Sequence, residues 1–165
     1  MSEIAFTKVR LPYGWLGNMA PFPVEYDGRE WRTTEALFQA LRFQDRPSQE
    51  KIRDQKSPMA AKMAAKALVE QMTIVPQSRE DLANMVMVLG LKLAQHPTLG
   101  PMLCSTGDSC IIEDCTSRPR GSGLFWGASR QIDGTWLGKN HLGRMWEALR
   151  KEIQDVLQVH SNSNL

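Results

Sequence analysis

Between residues 33 and 97 the chain sets a hydroxyl side chain ahead of each run of helical periodicity, and this constrains the fold more than any other feature. A hydroxyl at a helix start accepts a hydrogen bond from an otherwise unpaired backbone N–H. Thr33 or Thr34 is placed to cap a helix reaching about residue 43, with Leu37, Phe38 and Leu41 on one face. Ser48 is placed to cap a short helix through Arg53. Ser57-Pro58 opens an alanine-rich run to Val69, with proline at the first helical position, where no donor is lost. Ser78 precedes a long helix to about Gln95, ended by Pro97. Met85, Val88, Leu89 and Lys92 follow helical spacing, so the methionines read as core filler. A last helix is expected over about residues 141–157, with Met145, Leu149, Ile153 and Leu157 on one face.

Strand signals are fewer. Residues 4–9 alternate weakly, and Ile111-Ile112 suggests a short buried strand. Asp27-Gly28 lies between short alternating runs, a hairpin signal because both residues tolerate positive φ. Residues 12–23, 116–123 and 127–138 read as loops. The expectation is a helix-rich α+β fold with a few short strands, one domain over residues 1–158, and a polar tail over 159–165.

With 20 basic and 18 acidic residues, the formal charge is +2. That balance makes no strong case for a long nucleic acid, although one or two arginines suffice for a small phosphate ligand. Cys104, Cys110 and Cys115 do not resemble a disulfide framework or a zinc site, so reduced thiols are expected. No stretch approaches a membrane span and no signal-peptide pattern stands at the N-terminus, so a cytoplasmic location is the expectation.

Three places can carry chemistry. Glu35 falls in the first turn of a helix, where the helix dipole favours its charge while Leu37, Phe38 and Trp31 would desolvate it. A carboxylate between those influences is a candidate acid or base, and equally a simple dipole complement. Leu124-Phe125-Trp126-Gly127 leads into a glycine-containing loop; an aromatic there suits stacking on a flat ring, or anchors the loop. Glu113-Asp114 follows the apolar pair, and only one of two adjacent strand residues can face a given pocket. There is no phosphate-binding glycine loop, no serine-nucleophile elbow and no histidine triad, and His96, His141 and His160 are scattered.

Six motifs in order give the chain a family likeness. They are Trp15-Leu16-Gly17-Asn18-Met19 before a proline-containing hairpin, Thr33-Thr34-Glu35-Ala36-Leu37-Phe38-Gln39-Ala40, and Lys56-Ser57-Pro58 continuing to Lys62. Lys92 to Pro97, Thr106-Gly107-Asp108 leading to Ile112-Glu113, and Trp126-Gly127 with Gly138 to Gly143 complete the set. On these motifs, spanning roughly residues 13–150, the chain resembles the NADAR family, also called YbiA-like. The resemblance implies a YbiA-like fold and an N-glycosidase. One branch acts on phosphoribosylamino-pyrimidine intermediates of riboflavin synthesis, and another removes ADP-ribose from guanine bases.

The same resemblance implies that Glu35 is the key carboxylate and that Trp126 binds substrate. By analogy Asn18 and Asn140 would hydrogen-bond ribose hydroxyls, Arg42 and Lys56 would meet phosphate, as Arg79 or Lys62 could, and Trp15 would join the binding residues. Asp133 is the best match to a second, acidic catalytic residue. The implied partner is a small phosphorylated ribosyl metabolite or a single ADP-ribosylated base, with no metal or redox cofactor. The alternative is a non-catalytic module that binds NAD or ADP-ribose. Three departures bear on substrate choice: Ala36-Leu37 follows the motif glutamate, Leu82 stands where many members carry tryptophan, and the loop holding Asp133 and Trp136 is long.

Overall fold

The structure, a computed structural model, describes residues 2–162, with side chains through residue 160. In chain order the elements are β1 (Glu3–Phe6), β2 (Val24–Tyr26), β3 (Arg29–Trp31), α1 (Thr34–Ala40), α2 (Arg46–Arg53), α3 (Pro58–Ala67) and α4 (Arg79–Gln95). There follow α5 (Leu99–Cys104), β4 (Cys110–Glu113), α6 (Gly123–Trp126), β5 (Ser129–Arg130), β6 (Trp136–Leu137) and α7 (His141–Asn162). Helices outweigh strands, as the α+β expectation requires. By its internal contacts the chain divides into two compact units, one of Asn18–Gln95 and one of the segments on either side of it.

The Asn18–Gln95 unit is a hairpin and four helices. β2 and β3 pair antiparallel, Val24 opposite Trp31 and Tyr26 opposite Arg29. The connecting residues have positive φ, 53° at Asp27 and 67° at Gly28, which is the turn the Asp-Gly pair signals. The expected caps form at Thr33 and Ser57, whose side chains accept from Ala36 N and Ala60 N. The cap of α2 is Asp45 rather than Ser48: its carboxylate accepts from Ser48 N at 2.8 Å, and Pro47 sits in the first turn. α1 packs against α2, α3 and α4, and all seven of its residues are buried.

The other unit is built on β4. β1 pairs with it in parallel, Ile4 beside Ile111 and Phe6 beside Glu113. Because strand N–H groups alternate in direction, Cys110 N and Asp114 N donate to Ser2 O and Phe6 O, while Ile111 N and Glu113 N face the opposite edge. Among the described residues no further strand runs along that edge; only the isolated Asp114–Ala128 bridge meets it, with Ala128 N donating to Glu113 O. Side chains from α7 and the residue before it serve instead. Glu147 Oε1 accepts from Ile111 N at 2.7 Å, Asn140 Oδ1 accepts from Glu113 N at 3.0 Å, and Asn140 Nδ2 donates to Ile111 O at 2.8 Å. Asn140 does this from a left-handed conformation (φ 50°), which asparagine tolerates better than most residues. Trp146 on the same helix is fully buried and donates to Leu16 O at 3.0 Å.

The differences from expectation are local. The first strand stops at Phe6 instead of reaching Val9. α5 and α6 lie outside the helices expected from the sequence; Pro101 falls in the first turn of α5, where a proline costs no hydrogen bond. The loop expected over 127–138 contains the short β5–β6 hairpin. α7 continues through Asn162, taking in most of the segment expected as a tail, whose last residues, 163–165, lie outside those described.

Asn140→Ala removes two side-chain hydrogen bonds at once and places alanine at positive φ. A loss of about 1–3 kcal/mol in unfolding free energy is expected, since part-buried backbone groups of β4 lose their partners. Urea denaturation checks it, and a loss below about 0.5 kcal/mol would show that water replaces the amide.

Candidate active site

The head of α1 is fixed from one residue, Asn18. Its backbone carbonyl accepts from Glu35 N at 3.1 Å, its Oδ1 accepts from Thr34 Oγ1 at 2.9 Å, and its Nδ2 donates to Met85 Sδ on α4 at 2.9 Å. The amide expected to meet a ribose thus bonds the start of α1 through its oxygen and the middle of α4 through its nitrogen.

Glu35, in that first turn, is only 7% exposed. Its Oε1 accepts from Gln39 Nε2, one turn further on, at 2.8 Å. Among the described residues Oε2 has no hydrogen-bond partner, and no cation is bonded to the carboxylate. Gln39, 4% exposed, turns its Oε1 to Arg42 Nη1 at 2.9 Å. Arg42, 8% exposed, sends Nε and Nη2 to the two oxygens of Asp81, both at 2.8 Å, and lies 4.6 Å above the Phe38 ring. Asp81 is completely buried and also accepts from Gln77 N at 2.7 Å. Arg42, expected to meet a phosphate, is instead neutralised by a fork-to-fork pair inside the protein.

In the other unit Trp126 closes α6 and is buried, with Phe125 against it edge-on at 5.0 Å. The following Gly127 is needed for close approach: a Cβ there would lie 2.2 Å from Glu113 O. Phe125 in turn meets the His141 ring at 4.4 Å and lies under Lys139 Nζ at 5.2 Å. The His141 imidazolium is disfavoured first by burial and then by the cations Lys139 and Arg144, so the surroundings of this aromatic group are positive. Trp15 packs edge-on against Trp146 at 6.2 Å.

The remaining sequence candidates fall elsewhere. Asp133 is exposed in the β5–β6 turn, where its Oδ1 accepts from Thr135 Oγ1 and N, and these bonds hold its carboxyl below the usual range. That is the place and state of a turn-former, not of a proton donor. Lys56 is exposed in the link between α2 and α3. Asn140 serves β4 as described. Cys104, Cys110 and Cys115 form no disulfide, and no group of three or more His, Cys, Asp or Glu side chains gathers among the described residues. No helix among them is long and apolar enough to cross a membrane.

Two participants escape a sequence reading to different degrees. Gln39 lies four residues after Glu35 and three before Arg42, spacings that put all three on one helical face, so local periodicity could have found it. Asp81 is 39 residues from its arginine, and nothing local announces the pair.

This chain belongs to the NADAR family, whose domain it matches over residues 5–154. It is 31% identical over 143 residues to N-glycosidase YbiA of Escherichia coli K12, covering 86% of this chain and 82% of that one. It is 26% identical over 161 residues to N-glycosidase Npun_R5314 of Nostoc punctiforme, covering 94% and 96%. A third relative, the riboflavin biosynthesis protein VVA0006 of Vibrio vulnificus, is 28% identical over 148 residues, covering 87% of this chain but 36% of that protein. The solution structure of Escherichia coli YbiA resembles this one with a TM-score of 0.74 at 28% identity, over 95% of this chain and 88% of that one.

One buried group belongs both to the core stripe of α4 and to the fourth sequence motif. Lys92 of α4 is fully buried, with its ammonium 4.9 Å from the Phe22 ring, and burial pushes it down to about 7. In the unfolded chain the amine keeps its ordinary value near 10.4. Between about pH 7 and 10 the unfolded chain thus binds a proton that the folded chain does not, so stability rises with pH across that window, and the full cost of burying the charge applies below it. Lys92→Met is expected to stabilise the protein most near pH 6, by a margin that shrinks as pH approaches 10. Urea unfolding over this range measures it, and a pH-independent margin would contradict the assignment.

Proposed function

We propose that this protein is an N-glycosidase that hydrolyses the ribosyl C–N bond of a phosphorylated ribosyl compound, with Glu35 as the carboxylate that steadies the developing positive charge or orients the attacking water. The observation that carries the reading is the electrostatic state of Glu35: nearly buried, held through one oxygen by Gln39, with the other oxygen unbonded and no cation on it. Breaking a C–N bond at an anomeric carbon builds an oxocarbenium-like ion, and a carboxylate in a low-dielectric surround stabilises such charge strongly. The N-glycosidase names of the Escherichia and Nostoc relatives support the reaction class. The name of the Vibrio relative supports phosphoribosylamino-pyrimidines as one substrate class, with ADP-ribosylated guanine as the second to test.

Trp126 is proposed to stack on the base or sugar.

The test is release of free base, followed by chromatography, from each substrate class. Glu35→Gln keeps an acceptor for Gln39 and is expected to retain the parental melting temperature while kcat falls by roughly 10²-fold or more. Near-parental kcat in this variant would remove Glu35 from the mechanism. Thermal stabilisation by both ligands with no base released would instead make the protein a binding module for NAD or ADP-ribose.

A further inference from the structure

A primary amide has two ends of opposite character, and which of them faces Glu35 decides whether Gln39 supports the carboxylate or repels it. Through its NH2 the amide donates to Oε1; turned over, it would set a carbonyl oxygen against a carboxylate oxygen. Nothing in Gln39 itself chooses between the two, because rotation about its last bond exchanges them. Arg42 does choose. A guanidinium has five N–H donors and no acceptor, so only the amide oxygen can face it. Arg42 cannot turn away, because Nε and Nη2 are held by Asp81, Asp81 is held by Gln77 N, and the guanidinium rests on Phe38. All four side chains are more than nine-tenths buried, which keeps water from completing an alternative pattern.

We propose that Arg42, anchored by Asp81, is a positioning residue: it fixes the Gln39 amide with its NH2 toward Glu35, so that the carboxylate is hydrogen-bonded on one oxygen and open on the other. This rests on the reading of Glu35 as the catalytic carboxylate. It gives the Arg42–Asp81 pair a role in turnover, although neither residue touches substrate.

Arg42→Met alone strands a buried carboxylate and is expected to unfold or lose much stability. The informative variant is Arg42→Met/Asp81→Asn, which removes both charges and keeps an acceptor for Gln77 N. It is expected to fold, with kcat reduced roughly tenfold or more and KM within about twofold of the parent. Gln39→Met should show a similar kcat loss, and combining it with the double variant should add little, because both act through one amide. Parental kcat in the double variant, or losses that multiply, would overturn the proposal.

A direct readout needs no turnover. In the parent, the Gln39 side-chain amide protons should exchange slowly and show an NMR through-hydrogen-bond coupling to the Glu35 carboxyl carbon. In the double variant that coupling should vanish. Its persistence there, or its absence from the parent, refutes the orientation claim. Glu35→Gln with parental kcat would overturn only the catalytic reading of Glu35, since the resonances still report whether Arg42 orients the amide.

Discussion

The interaction on which the Asn18–Gln95 unit depends is the ion pair between Arg42 and Asp81, made with both side chains almost entirely out of water. Removing two charges from water costs several kcal/mol for each ion, and their attraction offsets this only where the geometry is good and the remaining donors and acceptors are filled. Here two parallel bonds of 2.8 Å join the charges, a backbone amide fills a further acceptor site on Asp81, and Gln39 takes one of the remaining guanidinium protons. An apolar pair of similar volume could match the resulting stability. What it could not supply is direction. A guanidinium held at a known angle determines which end of a neighbouring amide points where, and that constraint passes along α1 to its first turn.

α1 shows why such a constraint is needed. A seven-residue helix is too short to persist alone, because helix nucleation is costly and short helices in isolation are marginal. This one is also buried on every side, so it has no wet face on which to carry polar groups. Thr34, Glu35 and Gln39 therefore require protein partners, and they find them at Asn18, Gln39 and Arg42. Asn18 ties down the start of the helix and the Arg42–Asp81 pair ties down its end. Among the described residues Oε2 of Glu35 accepts no hydrogen bond, while its Oε1, the Thr34 hydroxyl and the Gln39 oxygen are each engaged.

Much of this architecture was legible where the determining contacts are close in sequence. Thr33 and Ser57 cap helices through donors three residues away, and Asp27-Gly28 makes its turn from its own backbone preferences. Ser48 was misjudged for a local reason, since Asp45 is the better acceptor and Pro47 favours an earlier start. The roles of Asn18, Asn140 and Arg42 were not legible. Their side-chain chemistry suits a sugar hydroxyl or a phosphate as well as it suits the protein's own backbone and carboxylates. The choice is made by residues 67, 27 and 39 positions away. Asp133 shows the opposite case, a side chain engaged locally, since its turn needs only Thr135, two residues on.

On the proposed reading, the charge a substrate brings and the charge its reaction creates make different demands on a site. A ribosyl substrate carries its charge on phosphate, and a cation that meets it does so equally before and during reaction; such contacts affect affinity and leave the barrier unchanged. Positive charge on the ribose exists only as the C–N bond breaks. A carboxylate with an empty coordination direction gains little from the neutral ground state and much from that ion, so its contribution falls on kcat. Pairing Glu35 with an arginine would have lowered the cost of burying it but also cancelled the field that the ion requires. Pairing it with an amide, and locking that amide from behind with an already neutralised arginine, keeps the charge ordered and unneutralised. For that reason the arginine stands one residue removed from the carboxylate and not against it.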